Sequence, residues 1–188
     1  MEIIEGVKVR LLYPEDRISA EVQRLADEIS ADYAGQELLL IVVLKGAFIF
    51  AADLARCIRL PLSLDFIRIS SYSGMATRGE VSLDDDIGIS VENKHVLVVE
   101  DILDTGTSLR FLLHRLRRSG PKSLKVCTLI DKQGRRRGGV TADYTGMACD
   151  GGFLVGYGMD LDERCRELPS IYEIVSNPSC GGSNDSPM

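Results

Sequence analysis

Two short runs of consecutive apolar residues constrain the fold of this chain more than any other feature. The first is Leu38–Leu44, with the sequence LLLIVVL, and the second is His95–Glu100, with the sequence HVLVVE. A strand with one face in water alternates apolar and polar residues, whereas a continuous apolar run is typical of a strand buried on both faces of a parallel sheet. We therefore expect both segments to be central strands of a mainly parallel sheet.

Helical patterns separate the apolar strands along the chain. Apolar residues at spacings of three and four predict a first helix from Pro14 to about Gly35, and Ala47–Ile58 is typical of a second. We expect Thr107 to cap a third helix. The apolar face of that helix is formed by Leu109, Leu112, Leu113 and Leu116. Strand, helix and strand in this order predict an α/β fold, with a mainly parallel twisted sheet flanked by helices.

The remaining segments predict shorter elements and loops. Val7–Leu12 is typical of a leading strand, Leu62–Ile69 of a further strand and Ser123–Ile130 of a third buried strand. Residues 70–86 are polar and contain two glycines, which predicts a long flexible loop. Residues 177–188 are polar and rich in glycine and serine, so we expect a disordered tail.

Composition narrows the class of protein. The net charge of −6 and pI of about 5.0 argue against sequence-independent nucleic-acid binding, because such proteins need a basic face. The five scattered cysteines form no C-x-x-C pair, as expected of reduced thiols in a cytoplasmic protein. We expect no signal peptide, and no apolar run approaches the roughly 20 residues that span a bilayer. We therefore expect neither a nucleic-acid nor a membrane partner.

The clearest functional pattern is the segment Val96–Leu109, with the sequence VLVVEDILDTGTSL. It carries two acids at the end of a strand, a third acid in a loop, and small polar residues that lead into a helix: Glu100, Asp101, Asp104, Thr105, Gly106, Thr107 and Ser108. Ligands of open parallel sheets bind beyond the carboxyl ends of the strands. The unpaired N–H groups of a helix's first turn attract anions there, and Gly106 lets the backbone approach a ligand closely.

Acids beside a phosphate site suit a ligand that also presents sugar hydroxyls and a metal ion. Carboxylates accept hydrogen bonds from a diol and hold Mg²⁺ directly or through water. The segment is neither a Walker loop nor a dinucleotide fingerprint, since G-x-x-x-x-G-K-[ST] and G-x-G-x-x-G are absent from the sequence. The pattern therefore predicts a site for a ribose phosphate.

This segment resembles the signature of the type I phosphoribosyltransferases, which is a hydrophobic strand, two acids and a phosphate loop. The chain is similar, in order over about Val7–Ile174, to the hypoxanthine-guanine branch of that family. The resemblance implies the type I phosphoribosyltransferase fold, with a single domain over residues 1–176. The core of that domain would span about residues 14–130, and the N-terminal strand with about residues 131–176 would form a small hood.

The resemblance also implies an activity, a cofactor and an assembly. The phosphoribosyl group of phosphoribosyl pyrophosphate would pass to N9 of hypoxanthine or guanine, with xanthine as a third candidate. The products would be IMP or GMP and pyrophosphate, and the cofactor would be Mg²⁺. A homodimer or homotetramer is expected.

Roles can be carried over from the branch to matching positions of this sequence. The phosphoribosyl group would be bound by Glu100, Asp101, Asp104, Thr105, Gly106, Thr107 and Ser108, with Asp104 as the catalytic general base. Pyrophosphate would be bound by Lys45, Gly46, Ser71, Tyr72 and Arg166. The purine would be bound by Ile102, Lys132, Phe153, Leu154 and Asp160, and the metal by Glu100, Asp101 and Asp160. Thr107 departs from the pattern, because some relatives carry Lys there.

Two alternative functions stay open at this point. A phosphoribosyltransferase for adenine, orotate or uracil would share the phosphate loop but not Lys132 together with residues 153–160. An RNA-binding regulator on the same fold would need a basic face, and this acidic chain has one tight arginine cluster, at residues 135–137. Turnover of individual bases would discriminate between these possibilities.

Overall fold

The protein is described here by a computed structural model that covers residues 2–71, 81–83, 87–132 and 139–176. Its strands are β1 (Glu2–Ile4), β2 (Val7–Tyr13), β3 (Leu38–Leu44), β4 (Leu62–Ser71), β5 (Val81–Leu83), β6 (His95–Leu103), β7 (Ser123–Asp131), β8 (Tyr144–Ala148), β9 (Phe153–Val155) and β10 (Ile171–Ser176). Its helices are α1 (Glu15–Asp32), α2 (Phe48–Cys57) and α3 (Thr107–Arg118). Tyr72, the arginines at 135–137 and the expected tail at 177–188 lie outside the described residues.

The larger sheet has six strands in the order β5-β4-β3-β6-β7-β8. All neighbouring pairs from β4 to β8 are parallel, and β5 is antiparallel to β4. The two apolar runs, now β3 and β6, lie side by side at the centre, with Leu38 opposite His95 and Val42 opposite Val99. The predicted α/β fold with a mainly parallel sheet is therefore confirmed.

Helices cover both faces of this sheet, which explains the continuous apolar sequence of β3. Leu38, Leu40 and Val42 pack with α1 and α2 on one face. Leu39 and Ile41 lie on the opposite face, where α3 packs through its four buried leucines. Because successive side chains of a strand point to opposite faces, each β3 residue has an apolar neighbour whichever way it points.

A smaller antiparallel sheet has the strand order β1-β2-β10-β9. Strand β10 pairs with β2 on one side and with β9 on the other, so that Tyr172 lies between Leu11 and Val155. Strand β1 was not predicted from the sequence; its three residues pair with β2, with Glu2 opposite Val9. This sheet places Phe153 and Leu154 of β9 at the edge of the site described below.

Two sequence predictions about element boundaries were wrong. The predicted loop at residues 70–86 in part continues the sheet, because β4 extends to Ser71 and Val81–Leu83 returns as β5, with Ser71 opposite Val81. The returning strand hydrogen-bonds to backbone groups at an otherwise open sheet edge. Strand β6 also extends beyond the predicted Glu100 to Leu103, since its pairing with β7 persists that far.

The helices among the described residues are too short or too polar to cross a membrane. The four described cysteines, Cys57, Cys127, Cys149 and Cys165, are free thiols.

Candidate active site

A cavity of about 890 Å³ lies beyond the carboxyl ends of the parallel strands, where open α/β sheets bind ligands. Its volume is within the range of about 300–1,000 Å³ that is typical of small-molecule sites. The predicted site residues that line it are Lys45, Gly46, Asp101, Ile102, Asp104, Lys132, Phe153, Leu154, Asp160 and Arg166. They come from well-separated parts of the chain, and the two farthest apart, Lys45 and Arg166, are separated by 121 positions in sequence.

The phosphate loop forms a second, smaller concavity of about 140 Å³. Its lining includes the predicted residues Glu100, Ile102, Asp104, Thr105, Gly106, Thr107 and Ser108. Gly106 has φ +73° and directly precedes α3, so it occupies the N-cap position in a left-handed conformation that favours glycine. The prediction that Thr107 caps the helix is therefore wrong, because Thr107 is its first helical residue.

The N-cap residue of α3, Gly106, has no side chain that could accept a capping hydrogen bond. The N–H groups of the first helical turn lack acceptors within the helix, and the positive end of the helix dipole lies behind them. Thr105 Oγ1 lies 3.5 Å from the Thr107 N–H, at the limit of a hydrogen bond. The described geometry therefore leaves a site for an anion at the start of α3.

Glu100 and Asp101 point to different cavities, because successive residues of a strand face opposite ways. Glu100 lines the small concavity and Asp101 lines the large one. Burial, and then the neighbouring Asp101 charge, raise the pKa of Glu100 well above its ordinary value. Burial also raises the pKa of Asp101, although hydrogen bonds from backbone N–H groups oppose that shift. Glu100 Oε2 is buried and has no hydrogen-bond partner among the described residues.

The three predicted metal ligands do not form one ready-made cluster. Within residues 2–71, 81–83, 87–132 and 139–176, no group of three or more His, Cys, Asp or Glu side chains is arranged to hold a metal ion. Asp160 faces Arg166, with 2.9 Å between Oδ1 and the guanidinium nitrogen. The electrostatic influence of Asp160 nevertheless contributes to the raised pKa of Asp101, so these two acids face the same cavity.

One end of the cavity combines a buried cation with a carboxylate and an aromatic ring. Lys132 is 5% exposed, and its Nζ donates a hydrogen bond of 2.8 Å to the carbonyl of Gly152. The same Nζ lies 3.7 Å from Asp104 Oδ2. Phe153 is 55% exposed beside them, whereas Leu154 is buried. An exposed aromatic ring at a cavity edge offers a stacking surface for a flat ligand.

Another part of the cavity, called the cationic end here, holds Lys45 and Arg166 together with the carboxylates of Asp160 and Glu163. The Leu44–Lys45 peptide bond at the end of β3 is cis. Arg166 donates to the carbonyl of Gly158 at 2.8 Å and lies 2.9 Å from Glu163. Lys45 Nζ lies 2.7 Å from the other oxygen of Glu163. Hydrogen bonds from Lys45, and then from Arg166, lower the pKa of Glu163 to about 2.

Sequence reasoning missed two charged residues that line the cavity, Glu163 and Arg68. Arg68 is exposed on β4, opposite Leu44 in the parallel register. That register could not be derived before the strands were paired. Glu163 lies three residues after Asp160, and charged residues at a turn carry no distinctive signal. Of the predicted pyrophosphate residues, Ser71 is described by its backbone alone and Tyr72 lies outside the described residues.

Comparison with known proteins identifies the class. The phosphoribosyl transferase domain family matches residues 11–162, and the chain belongs to this family. The chain is 40% identical over 176 residues to the hypoxanthine-guanine phosphoribosyltransferase of Aquifex aeolicus, a match covering 93% of this chain and 99% of the relative. It is also 40% identical over 163 residues to the hypoxanthine-guanine-xanthine phosphoribosyltransferase of Tritrichomonas foetus, covering 86% and 89% of the two chains.

Solved structures lead to the same branch. A crystal structure of a hypoxanthine-guanine phosphoribosyltransferase from Bacillus anthracis matches with a TM-score of 0.85 and 44% identity. The match covers 90% of this chain and 99% of that one. The resemblance to the hypoxanthine-guanine branch and the predicted type I fold are thus confirmed.

Proposed function

We propose that this protein is a purine salvage enzyme that transfers the phosphoribosyl group of phosphoribosyl pyrophosphate to N9 of hypoxanthine or guanine, with xanthine as a third candidate. The observation that carries the proposal is the position of Lys132, 3.7 Å from Asp104 and beside the exposed ring of Phe153. Asp104 also lines the phosphate-loop concavity, so one residue joins the base end to the sugar end. The names of the Aquifex and Tritrichomonas relatives support this activity.

The sugar phosphate would bind at the start of α3. The 5-phosphate would accept hydrogen bonds from the N–H groups of residues 105–108, with the hydroxyls of Thr105, Thr107 and Ser108 as further donors. Glu100 and Asp101 would accept hydrogen bonds from the ribose hydroxyls. Positive charge develops on the sugar as the bond to pyrophosphate breaks, and these carboxylates would stabilise that charge.

The base would bind between Phe153 and Ile102. Lys132 would donate a hydrogen bond to O6 of the purine, which favours hypoxanthine and guanine over adenine, whose 6-amino group is itself a donor. The backbone carbonyls of Leu154 and Asp160 would accept hydrogen bonds from the amino group of guanine. N9 would attack C1 of the ribose while Asp104 takes the proton from the purine as a general base.

Pyrophosphate would leave at the cationic end of the cavity. Lys45, Arg166 and the backbone of Gly46 would bind its negative oxygens. Ser71 and Tyr72 are proposed as further pyrophosphate ligands on sequence grounds alone.

Magnesium fits the donor set of this site. Glu100 has a buried oxygen without a hydrogen-bond partner among the described residues, and burial disfavours the ionised forms of both Glu100 and Asp101. A hard cation would offset that penalty, and carboxylate oxygens are its preferred ligands. Asp101 and Asp160, which face the same cavity, would hold it together with substrate oxygens, and Glu100 is proposed as a third ligand on sequence grounds. When bound, Mg²⁺ disperses the negative charge of pyrophosphate.

We also propose a homodimer or homotetramer in the cytoplasm. Leu64 and Phe66 lie two residues apart on β4, so they share a face of the sheet, and both are exposed. Adjacent exposed apolar side chains are typical of a surface that contacts another subunit. The scattered free cysteines support a reducing compartment. Light scattering after gel filtration would give the oligomeric state, and a monomer would contradict the assembly.

A four-base turnover assay tests the proposed function. With Mg²⁺ and phosphoribosyl pyrophosphate, we expect turnover of hypoxanthine or guanine and little turnover of adenine. Turnover of adenine alone would refute the role of Lys132. Calorimetry with Mg²⁺ and phosphoribosyl pyrophosphate adds a separate test, since absence of saturable binding would refute the sugar-phosphate site itself.

A further inference from the structure

Glu163 occupies the cationic end of the cavity by contacting both of its cations. One carboxylate oxygen lies 2.7 Å from Lys45 Nζ, and the other lies 2.9 Å from the guanidinium of Arg166. Lys45 and Arg166 are the two cationic side chains proposed to bind pyrophosphate. A pair of carboxylate oxygens bridging two cations resembles, in charge and geometry, one phosphate group of that ligand.

A tight turn positions this carboxylate. Leu161 and Arg164 exchange two backbone hydrogen bonds of 3.0 Å, which makes Asp162 and Glu163 the central residues of a two-residue hairpin. Their φ angles are +49° and +64°, the left-handed conformation that such turns require and that Asn and Gly adopt most readily. The Glu163 N–H also donates to Asp160 Oδ2 at 2.9 Å. Glutamate is costly at this position, and left-handed backbone at a ligand site is a reason to look for a function of the side chain.

The contacts of Glu163 are suited to being displaced. Its side chain is 62% exposed and that of Lys45 is 46% exposed, whereas that of Arg166 is 17% exposed. Ion pairs between exposed groups contribute little stability, because water and salt screen them. A pyrophosphate group carries more negative charge than one carboxylate, so it would replace Glu163 on Lys45 and Arg166.

We propose that Glu163 is a displaceable internal competitor for the pyrophosphate site, which weakens binding of phosphoribosyl pyrophosphate and favours release of the pyrophosphate product. This inference rests on the proposed function. In the unliganded protein Glu163 pairs with Lys45 and shares Arg166 with Asp160, and ligand binding must break the two ion pairs of Glu163. Removing the charge of Glu163 leaves Lys45 without this ion pair and Arg166 paired with Asp160 alone, so both cations bind the ligand at a lower free-energy cost.

The test compares two variants that each remove one negative charge from the same turn. Asp162 is exposed and neighbours Glu163, and its carboxylate makes no hydrogen bond or ion pair among the described residues. Binding of inorganic pyrophosphate to the full chain is measured by calorimetry with Mg²⁺ and without any base, so that no turnover is needed. We expect Glu163→Gln to tighten binding of pyrophosphate roughly three- to tenfold, the range expected from loss of two ion pairs made by an exposed carboxylate. Asp162→Asn should change the affinity for pyrophosphate less than about twofold, because the Asp162 carboxylate contacts neither Lys45 nor Arg166.

Equal tightening in the two variants would overturn the proposal, since a general charge effect would then explain both. Unchanged or weaker binding by Glu163→Gln would overturn it as well, because Glu163 would then not compete. If the wild-type protein and both variants all failed to bind pyrophosphate, the proposed function would fail together with this inference. The KM for phosphoribosyl pyrophosphate gives a second readout and should fall in Glu163→Gln but not in Asp162→Asn.

Discussion

The backbone of Gly158 packs directly against the carbonyl oxygen of Gly46: a Cβ added to Gly158 would lie 2.1 Å from that oxygen. A Cβ added to Gly46 would in turn lie 1.9 Å from Asp101 Oδ2. The ends of β3 and β6 and the turn after β9 are therefore stacked at distances that exclude side chains. This stacking places Lys45, Asp101 and Asp160 around one cavity.

Gly158→Ala should therefore destabilise the protein by about 2–3 kcal/mol, through overlap with Gly46 and a φ of +97°. Urea denaturation would measure the loss. Gly35→Ala is the matched control, because Gly35 also has a positive φ, +75°, but a Cβ there would meet nothing within 4 Å. We expect the control to cost about 1 kcal/mol. Equal losses of unfolding free energy in Gly158→Ala and Gly35→Ala would show that the contact with Gly46 does not contribute to stability.

Asp104→Asn should lower kcat about 10²- to 10⁴-fold, the usual contribution of a general base. Asparagine keeps the size of the side chain but cannot take a proton from the purine. Binding of phosphoribosyl pyrophosphate, measured by calorimetry, should change little. A kcat equal to that of the wild type would remove Asp104 from the role of base.

Lys132→Ala should raise the KM for hypoxanthine or guanine about tenfold or more, as expected from loss of a hydrogen bond made by a charged donor. The KM for phosphoribosyl pyrophosphate should stay nearly constant. Lys125→Ala is a useful control, since Lys125 is on β7, the strand that ends directly before Lys132, but contacts Asp32 and Tyr144. It should lower stability without raising the KM for the base. An equal rise in both KM values of Lys132→Ala would contradict a position in the base pocket.

Tyr144→Phe tests a polar network between α1 and the edge of the sheet. The Tyr144 hydroxyl donates to Asp32 at 2.7 Å, and Lys125 donates to both residues. The hydrogen bond from Tyr144, and then that from Lys125, lower the pKa of Asp32 below its ordinary value of 3.8. The stabilisation from Asp32 is therefore present above about pH 4 and lost as pH falls through the lower pKa of the folded state.

We expect Tyr144→Phe to cost about 1 kcal/mol at pH 7, the usual net value of a hydrogen bond. The difference from wild type should narrow at pH values below 4, as urea denaturation at several pH values would show. Tyr172→Phe removes a hydroxyl with no hydrogen bond among the described residues and should change stability little. A Tyr144→Phe effect independent of pH would exclude coupling to Asp32.

The central strands and the phosphate loop could be predicted because their signals are local. Residues 38–44 have no polar residue, so only a strand covered on both faces accommodates them. The acids and small residues of 100–108 lie within nine positions of one another, so the end of β6, the following loop and the start of α3 bring them together. The roles predicted for these residues therefore follow from their order in the sequence alone.

Other features depend on contacts between distant segments and had no local signal. Strand β9 has three residues, too few for an alternating pattern to show, and is defined by its pairing with β10. Asp162 and Glu163 form a hairpin turn without the Asn or Gly that usually marks one. The predicted N-cap at Thr107 was wrong by one residue, because the left-handed backbone at Gly106 is set by how the loop closes.

The strand order β1-β2-β10-β9 has a consequence for folding during translation. Residues 171–176 leave the ribosome after every residue proposed to touch sugar or base, yet they form the strand against which β9 pairs. Because a domain generally folds as a unit, β9 cannot complete its pairing until residues 171–176 have been synthesised. Strand β9 carries Phe153, the ring proposed to stack on the base. It therefore gains its pairing strand only after the other residues proposed to bind sugar and base have been synthesised.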